Sequence, residues 1–234
     1  MELLYLDRDL VVCVKPPDCL SEDGDAPTCM PNQLRAAMRE LGKPDYIAGV
    51  HRLDRIVGGL MVFSRRKEIT GKLTAAVAEH RVVKEYFAVL RGHPAEKEGV
   101  LRDLLFRDAS KNKSFVVTRM RKGVRDASLS YRVLAETADC TLVRIRLHTG
   151  RTHQIRVQFS SRGLPLLGDT RYGCRDRGCE CALWSFRLAF DHPVTGRPLD
   201  FSRRPPNGYP WDLSPQAVYD DPGLPCPDAE ESLP

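Results

Sequence analysis

The sequence lacks any long apolar run. A short hydrophobic stretch between Met1 and Val14 is interrupted by Asp7-Arg8-Asp9, whereas a secretory signal or a membrane span requires an unbroken apolar segment. We therefore expect a cytoplasmic protein that does not bind membranes. Aromatic residues are few, at 7%, but 42% of the 234 residues are hydrophobic and 29% are charged. This composition predicts a globular chain with one sizeable domain or two small ones.

The end of the chain lacks basic residues. Residues 219–234 contain five acidic residues and no Lys or Arg, so the net charge of +5 conceals a net charge of +10 on the preceding residues. A basic body favours a polyanionic partner, because phosphate contacts give salt-dependent binding. The alternative is a basic protein without such a partner. We predict one domain over residues 1–218 and a disordered, Pro-rich tail over residues 219–234.

The eight cysteines have no export signal beside them, which favours reduced thiols over a disulfide framework. The tightest group is Cys174, Cys179 and Cys181. It lacks a fourth ligand at a standard zinc spacing, unless Cys226 or a histidine returns to it. We therefore predict no metal site, with zinc as the alternative.

Hydrophobic periodicity predicts alternating helices and strands. Helices are expected at residues 33–41, 68–80 and 153–161, and strands at residues 3–6, 10–14, 60–64, 82–90, 128–134, 141–147 and 183–190. In the strand at 141–147, Val143, Ile145 and Leu147 alternate with Arg144 and Arg146. This alternation predicts one buried face and one strongly positive face.

Residues 110–125, which we call the basic segment, contain no acidic residue. Phe115, Val116 and Val117 lie between its charges, which favours a strand pair that contacts a phosphate backbone over a merely solvated hairpin. The basic residues of this segment are Lys111, Lys113, Arg119, Arg121, Lys122 and Arg125.

One carboxylate stands in an unusual place. The stretch His51-Arg52-Leu53-Asp54-Arg55 sets Asp54 between two arginines, just before Gly58-Gly59 and an apolar run. Neighbouring guanidinium groups favour the ionised form of a carboxylate and fix its rotamer. Asp54 is therefore a candidate reactive anion. The alternative is a structural ion pair or a turn cap.

Three further residues have two interpretations each. Tyr86 lies in a predicted strand and is either a core aromatic or a ring placed against a bound base. Arg156 lies beside the apolar anchor Ile155 at the start of a predicted helix, and is either held in a site or exposed on the surface. His153 is either structural or a proton shuttle, and we favour the structural role.

Together these stretches resemble the RluA-type pseudouridine synthases, which isomerise uridine to pseudouridine in RNA. The likeness covers residues 3–201, with four motifs in register. The matching residues are His51-Arg52-Leu53-Asp54-Arg55 with Gly59, Leu60 and Phe63; Lys84-Glu85-Tyr86 with Ala88, Val89 and Gly92; Gly150-Arg151-Thr152-His153-Gln154-Ile155-Arg156-Val157; and Gly168-Asp169 with Tyr172-Gly173.

The sequence departs from the family pattern at two places. The family usually has Thr-Ser where this chain has Val57-Gly58, and Ser21-Glu22-Asp23 replaces an apolar, His-containing loop after Lys15-Pro16. We expect the Val57-Gly58 departure to affect substrate preference more than the type of reaction.

The resemblance implies an α+β fold, with a mixed, mainly antiparallel curved sheet, flanking helices and an active cleft. It makes Asp54 the catalytic carboxylate, pairs it with Arg156 and places Tyr86 against the uracil. Arg52 would fill the space left by the extruded uridine. Leu53 and Ile155 are candidate apolar walls. Further RNA contacts are expected from Arg55, Lys111, Lys113, Arg119 and Arg121.

Isomerisation involves no net redox change, so we expect no cofactor. A monomer is sufficient, and the expected partner is an rRNA or tRNA stem-loop. Because the family pattern begins at Leu3, we expect the catalytic domain itself to recognise RNA. Two alternatives remain open from the residues. One is a non-catalytic RNA-binding protein. The other is a glycoside or nucleoside hydrolase, which would need a second carboxylate within about 5 to 10 Å of Asp54.

Overall fold

The computed structural model describes residues 1–24, 29–176 and 178–220. Its contacts divide the chain into two compact units. The predicted single domain over residues 1–218 stays a prediction. Unit 1 comprises Met1–Lys84 and Ser185–Pro205, and unit 2 comprises Glu85–Trp184 and the segment from Pro206 onward. The architecture is α+β, which confirms the predicted class.

In chain order, the elements up to residue 78 are β1 (Glu2–Leu6), β2 (Leu10–Lys15), α1 (Met30–Glu40), β3 (Ala48–Gly49), β4 (Gly58–Ser64) and α2 (Lys67–Ala78). The next are β5 (Val83–Arg91), β6 (Glu98–Asp108), β7 (Lys113–Val117), β8 (Val124–Glu136), β9 (Cys140–Leu147) and α3 (Gln154–Ser160). The last are β10 (Leu183–Asp191), β11 (Pro198–Ser202) and α4 (Ala217–Asp220), with short 3-10 helices at Thr170–Tyr172 and Trp211–Leu213.

In unit 1 the strand order is β1-β2-β4-β10, with β3 beside β4 and β11 beside β10. The β2 strand runs antiparallel to β4, so that Lys15 lies opposite Gly59. Helix α2, which was predicted at residues 68–80, buries Ile69, Leu73 and Ala76. These side chains pack on buried residues of the sheet to form the core of the unit.

In unit 2 the strand order is β5-β9-β8-β6-β7, with antiparallel neighbours throughout. Strand β7 provides the Phe115-Val116-Val117 strand predicted in the basic segment, and its partner is β6. A buried cluster of Leu105, Ala127, Val157 and Tyr172 packs α3 onto this part of the sheet.

One prediction for unit 2 is wrong. Arg144 does not contribute to a positive face, because its side chain is buried and its Nη2 lies 2.7 Å from the buried carboxylate of Glu85. The two residues are far apart in sequence but lie on the neighbouring strands β5 and β9. The alternation in β9 correctly indicates a strand, but it does not reveal the acidic partner.

The segment assigned to the tail begins with residues that the structure includes. Tyr219 is buried in α4, its hydroxyl donates to the Trp211 carbonyl at 2.8 Å, and its ring meets that of Phe87 edge to face. Residues 221–234 lie outside the described residues. No helix in the described part of the chain has the length and apolar character to cross a membrane.

The Gly59 position in β4 tests how tightly unit 1 is packed. Gly59 has a φ of +118°, and a Cβ there would lie 2.2 Å from the Ser185 carbonyl oxygen. We expect Gly59→Ala to lower the free energy of unfolding by about 3 kcal/mol or more, because an unfavourable φ adds to an overlap with rigid backbone. Urea unfolding measures this loss.

Gly42→Ala is the matched control. Gly42 also has a positive φ, of +63°, but a Cβ there would meet nothing within 4 Å. Its substitution should cost about 1 to 2 kcal/mol, from conformation alone. Equal losses for the two variants would contradict the close approach of Gly59 to Ser185.

Candidate active site

The loop that carries Asp54 connects β3 to β4 in unit 1, and its backbone is held on both sides of Asp54. The Ser21 hydroxyl donates to the Leu53 carbonyl at 2.7 Å and accepts from the Leu53 N–H at 3.3 Å. The Lys15 ammonium donates to the Arg55 carbonyl at 2.9 Å. The Val57 N–H closes a turn by donating to the Asp54 carbonyl at 2.9 Å. Asp54 itself is partly buried. Its backbone position is therefore fixed by its neighbours.

Lys15 is the strongest of these anchors. Its side chain is fully buried, and its ammonium group also donates to the carbonyls of Pro16 and Cys19 at 2.8 and 2.7 Å. Three carbonyl partners match the three N–H donors of an ammonium group, which offsets the cost of burying the charge. Sequence analysis noted Lys15 only as part of the Lys15-Pro16 dipeptide before the departing loop, and nothing in the sequence alone shows that it is buried.

The two arginines beside Asp54 make ion pairs with other acids. Arg52 lies 3.1 Å from Glu22, and Arg55 lies 2.8 Å from Asp18. All four side chains are largely exposed, so each pair contributes only about 0 to 1 kcal/mol. A ligand phosphate could replace these carboxylates at small cost. The RNA contacts predicted for Arg52 and Arg55 stay predictions.

His51 supports the same loop as a neutral base. Its Nε2 accepts the Val62 N–H at 3.1 Å, so in the neutral ring the proton is on Nδ1. That Nδ1 is buried and has no hydrogen-bond partner among the described residues. Burial, and secondarily the nearby Lys84 ammonium, lower the pKa of His51 to about 3. Burial also lowers the pKa of Lys84.

In unit 2, Tyr86 lies on β5 opposite Ile145 of β9 and is 5% exposed. Helix α3 begins directly after His153, which has a left-handed backbone with a φ of 54°. Its Nδ1 lies 3.0 Å from the Tyr172 hydroxyl, which favours the structural role predicted for His153. Ile155 is buried on the same helix.

Arg156 is 2% exposed, which excludes the surface interpretation. Its guanidinium makes two parallel bonds to Asp169, Nε to Oδ2 at 2.6 Å and Nη2 to Oδ1 at 2.8 Å. The centre of the Tyr172 ring lies 5.0 Å from the guanidinium carbon of Arg156. Asp54 and Arg156 belong to different units, and their predicted ion pair stays a prediction. Asp169 and Tyr172 were noted only as motif residues, without a role.

The basic segment combines exposed and engaged cations. Lys111, Arg119 and Arg121 are exposed. Lys113 is partly buried, and its ammonium donates to the Arg171 carbonyl at 2.7 Å and lies 4.9 Å from the centre of the Tyr172 ring. Lys113 thus also has an intramolecular role.

The cysteine group shows no metal geometry within the described residues. Among the described residues, one group of side chains lies close enough together to share a metal ion. It consists of Asp7, Asp9 and His192. Nε2 of His192 lies 2.8 Å from the Asp7 carboxylate, and Asp9 makes an ion pair with Arg66 at 2.9 Å. Cys179 remains a protonated thiol, because burial raises its pKa to about 11. Cys226, the suggested fourth zinc ligand, lies outside the described residues.

Residues 9–161 match the family model described as RNA pseudouridylate synthase. The match covers more than half of the chain and includes the stretches that hold Asp54, Tyr86 and Arg156. The chain therefore belongs to the RNA pseudouridylate synthase family. The chain is of RluA type within that family, as the motifs predicted. The evidence for this type comes from its curated relatives.

The chain is 33% identical over 218 residues to ribosomal large subunit pseudouridine synthase D of Vibrio cholerae, covering 86% of this chain and 66% of that protein. It is 31% identical over 224 residues to the protein of that name from Zymomonas mobilis, covering 88% and 69%. An uncharacterized RNA pseudouridine synthase of Bacillus subtilis is 32% identical over 209 residues, covering 86% and 68%. The chain thus spans about two thirds of the length of these relatives.

Two solved human structures share the fold. Human RNA Pseudouridylate Synthase Domain Containing 4 has a TM-score of 0.76 at 23% identity, covering 91% of each chain. Human RNA Pseudouridylate Synthase Domain Containing 1 has a TM-score of 0.73 at 24% identity, covering 97% of this chain and 96% of that one. The predicted pseudouridine synthase fold is confirmed.

The neutral state of His51 makes stability depend on pH. The folded pKa of about 3 lies below the ordinary value of 6.5, so between these values the unfolded chain binds a proton that the folded chain does not. The stabilisation is therefore present above pH 6.5 and is lost as the pH falls. We expect the free energy of unfolding to drop by about 2 kcal/mol from this residue between pH 6.5 and pH 5.

Urea unfolding at several pH values measures this drop in the wild type and in His51→Gln. The Gln side chain can accept the Val62 N–H but does not titrate, so this part of the pH dependence should disappear. His80→Gln changes an exposed histidine and serves as the control. If His51→Gln shows the pH dependence of the wild type, the buried neutral His51 is not its source.

Proposed function

We propose that this chain isomerises specific uridines to pseudouridine in RNA, with Asp54 as the catalytic residue. The family match over residues 9–161 carries the proposal, because it spans the stretches that hold Asp54, Tyr86 and Arg156. The names of the bacterial relatives favour ribosomal RNA as the substrate over transfer RNA. We further propose a cytoplasmic monomer that recognises a stem-loop through the domain that carries out catalysis.

The reaction breaks the bond between N1 of uracil and C1′ of the sugar, turns the base, and joins C5 to C1′. A proton leaves C5 and N1 gains one, so atoms and charge balance without redox chemistry. Asp54 acts either as a nucleophile or as a base, and both routes require an ionised carboxylate in a fixed position. The bonds from Ser21 and Lys15 to the neighbouring backbone support this requirement.

The other site residues have supporting roles in this proposal. Arg156 keeps Asp54 anionic and oriented, and Tyr86 stacks on or hydrogen-bonds to the uracil while it is detached from the sugar. Leu53 and Ile155 are apolar walls that retain the free base. Arg52 fills the space left by the extruded uridine, which lowers the cost of unstacking.

RNA docking in this proposal depends on the exposed cations of the basic segment. Lys111, Lys113, Arg119 and Arg121 are its proposed phosphate contacts, together with Arg55. The exposure of Lys111, Arg119 and Arg121 supports this role. Phosphate contacts provide affinity and register but do not select a sequence.

The decisive experiment incubates purified protein with rRNA and tRNA and maps pseudouridine. We expect the wild type to modify defined positions, and Asp54→Asn to lower the rate by at least about 10³-fold, since an amide is neither a nucleophile nor a base here. Asp45→Asn is the control, because Asp45 is an exposed carboxylate of the same unit paired with Arg39 at 2.7 Å.

Three outcomes would contradict the proposal. Pseudouridine maps that do not change with Asp54→Asn would remove Asp54 from catalysis. Failure of the wild type to modify any of these RNAs would defeat the activity itself. Full cellular function of Asp54→Asn would favour a non-catalytic RNA-binding protein.

RNA affinity should depend on salt through the basic segment. We expect Lys111→Gln/Arg119→Gln to weaken binding and to reduce the slope of log affinity against log salt by about 1 to 2, since each lost phosphate contact removes about 0.7 to 0.9. The control Lys67→Gln/Lys72→Gln removes the same charge from the exposed side of α2. Filter binding at several salt concentrations measures both. Equal reductions for the two variants would show that only net charge matters.

A further inference from the structure

The ion pair between Arg156 and Asp169 fixes the orientation of the Arg156 guanidinium as well as neutralising its charge. Two parallel bonds, at 2.6 and 2.8 Å, hold the guanidinium in one plane, and both side chains are almost fully buried. A bidentate pair of this kind sets orientation as well as energy. Asp169 occupies the Nε and Nη2 side of the guanidinium, so the Nη1 side is directed elsewhere.

Tyr172 completes this arrangement. Its ring centre lies 5.0 Å from the guanidinium carbon of Arg156, at a distance suited to a cation–π contact. Its hydroxyl accepts the backbone N–H of Ser114 at 2.8 Å and lies 3.0 Å from Nδ1 of His153. One side chain therefore contacts Arg156, the start of α3, and strand β7.

Strand β7 belongs to the β6–β7 hairpin, which carries Lys111 and Lys113. The Lys113 ammonium donates to the Arg171 carbonyl, and Arg171 Nη1 donates to the Asn112 carbonyl at 3.1 Å. The Ser114 hydroxyl donates to the Thr152 carbonyl at 2.6 Å. The hairpin is thus tied to the loop at residues 168–173 and to the segment before α3, with Tyr172 at the centre of these contacts.

We propose that Asp169 and Tyr172 are positioning residues for the isomerisation. Asp169 sets the orientation of Arg156, and the Tyr172 hydroxyl sets the position of the β6–β7 hairpin on which RNA docks. Neither residue needs to touch the uridine. This inference rests on the proposed function, because the proposed function assigns Arg156 to the chemical step and the β6–β7 hairpin to RNA binding.

The two residues should affect different kinetic constants. Misplacing Arg156 weakens stabilisation of the reacting groups, which lowers kcat, and a misplacement of about 1 Å can reduce a rate by about 100-fold. Displacing the hairpin weakens RNA docking equally in the ground state and the transition state, which raises KM. A general loss of folded protein would instead lower the apparent kcat of either variant without changing KM.

The experiment compares Asp169→Asn and Tyr172→Phe on the same RNA under steady-state conditions. Asn has the shape of Asp but only one acceptor oxygen and no charge, so we expect kcat to fall by about 100-fold with KM within about twofold. Phe keeps the ring beside Arg156 but loses the contacts of the hydroxyl with Ser114 and His153. We expect its KM to rise by about 5-fold to 10-fold, with kcat within about twofold.

Asp103→Asn is the matched control. Asp103 accepts from Arg162, just beyond α3, with Oδ2 2.9 Å from Nη1, so the same chemical change is made in an Arg–Asp pair of the same unit. Both constants should stay within about twofold of the wild type. The folded fraction of each variant is measured by thermal melting, and kcat is expressed per folded molecule.

If Asp169→Asn melts below the assay temperature, Asp169→Glu replaces it. Glu keeps the charge but moves the carboxylate by one methylene, so kcat must still fall with KM unchanged. A folded Asp169 variant with wild-type kcat, or a Tyr172→Phe variant that loses kcat rather than raising KM, would overturn the inference. Inactive wild type and Asp103→Asn would defeat the proposed function instead, so the two failures are distinguishable.

Discussion

The buried ammonium of Lys15 fixes the backbone from which Asp54 projects. An ammonium group removed from water costs several kcal/mol unless its donors are satisfied. Here the carbonyls of Pro16, Cys19 and Arg55 accept from it at 2.7 to 2.9 Å. The Arg55 carbonyl cannot move away without leaving a buried charge short of a partner. The loop of Asp54 is therefore determined by the end of β2, far away in sequence.

Elsewhere the chain handles buried ionisable groups in two other ways. Glu85 with Arg144, and Arg156 with Asp169, are buried as ion pairs, and removing one member of such a pair costs about 3 to 5 kcal/mol. His51 is instead kept neutral, with its pKa lowered by burial. Such arrangements add little net stability compared with apolar packing, but each allows few geometries. All of these residues except Arg144 are themselves motif residues, and a fixed geometry is what the proposed isomerase requires of its site.

The sequence predicted local structure and family well, because periodic strands and helices and four spaced motifs are local signals. It did not predict β6, whose adjacent Leu104 and Leu105 break the alternation expected of a strand. It also assigned Arg144 to a positive face, because a strand pattern shows which side chains share a face but not which acid lies on the neighbouring strand.

In the candidate site, too, the sequence identified the residues but not their tertiary partners. The family likeness identified Asp54, Tyr86 and Arg156 as residues to examine, but the partners that hold them came only from the structure. Ser21 lies 32 residues before Leu53, and Lys15 lies 40 residues before Arg55, although each binds the backbone of that residue. Asp169 lies 13 positions after Arg156 in sequence, beyond the end of α3. No periodicity encodes such pairs, since tertiary packing alone brings them together.

The departures from the family pattern lie where they leave the anchoring of Asp54 intact. Val57 is buried, and its contribution to the turn is a backbone bond to the Asp54 carbonyl, which does not depend on the side chain. Ser21 uses one hydroxyl to bind both the N–H and the carbonyl of Leu53. Glu22, by contrast, makes an ion pair with the exposed Arg52. This pair is weak enough for an RNA phosphate to replace the Glu22 carboxylate. In the proposed enzyme these changes therefore alter how RNA approaches Arg52, while the carboxylate that performs the chemistry keeps its support.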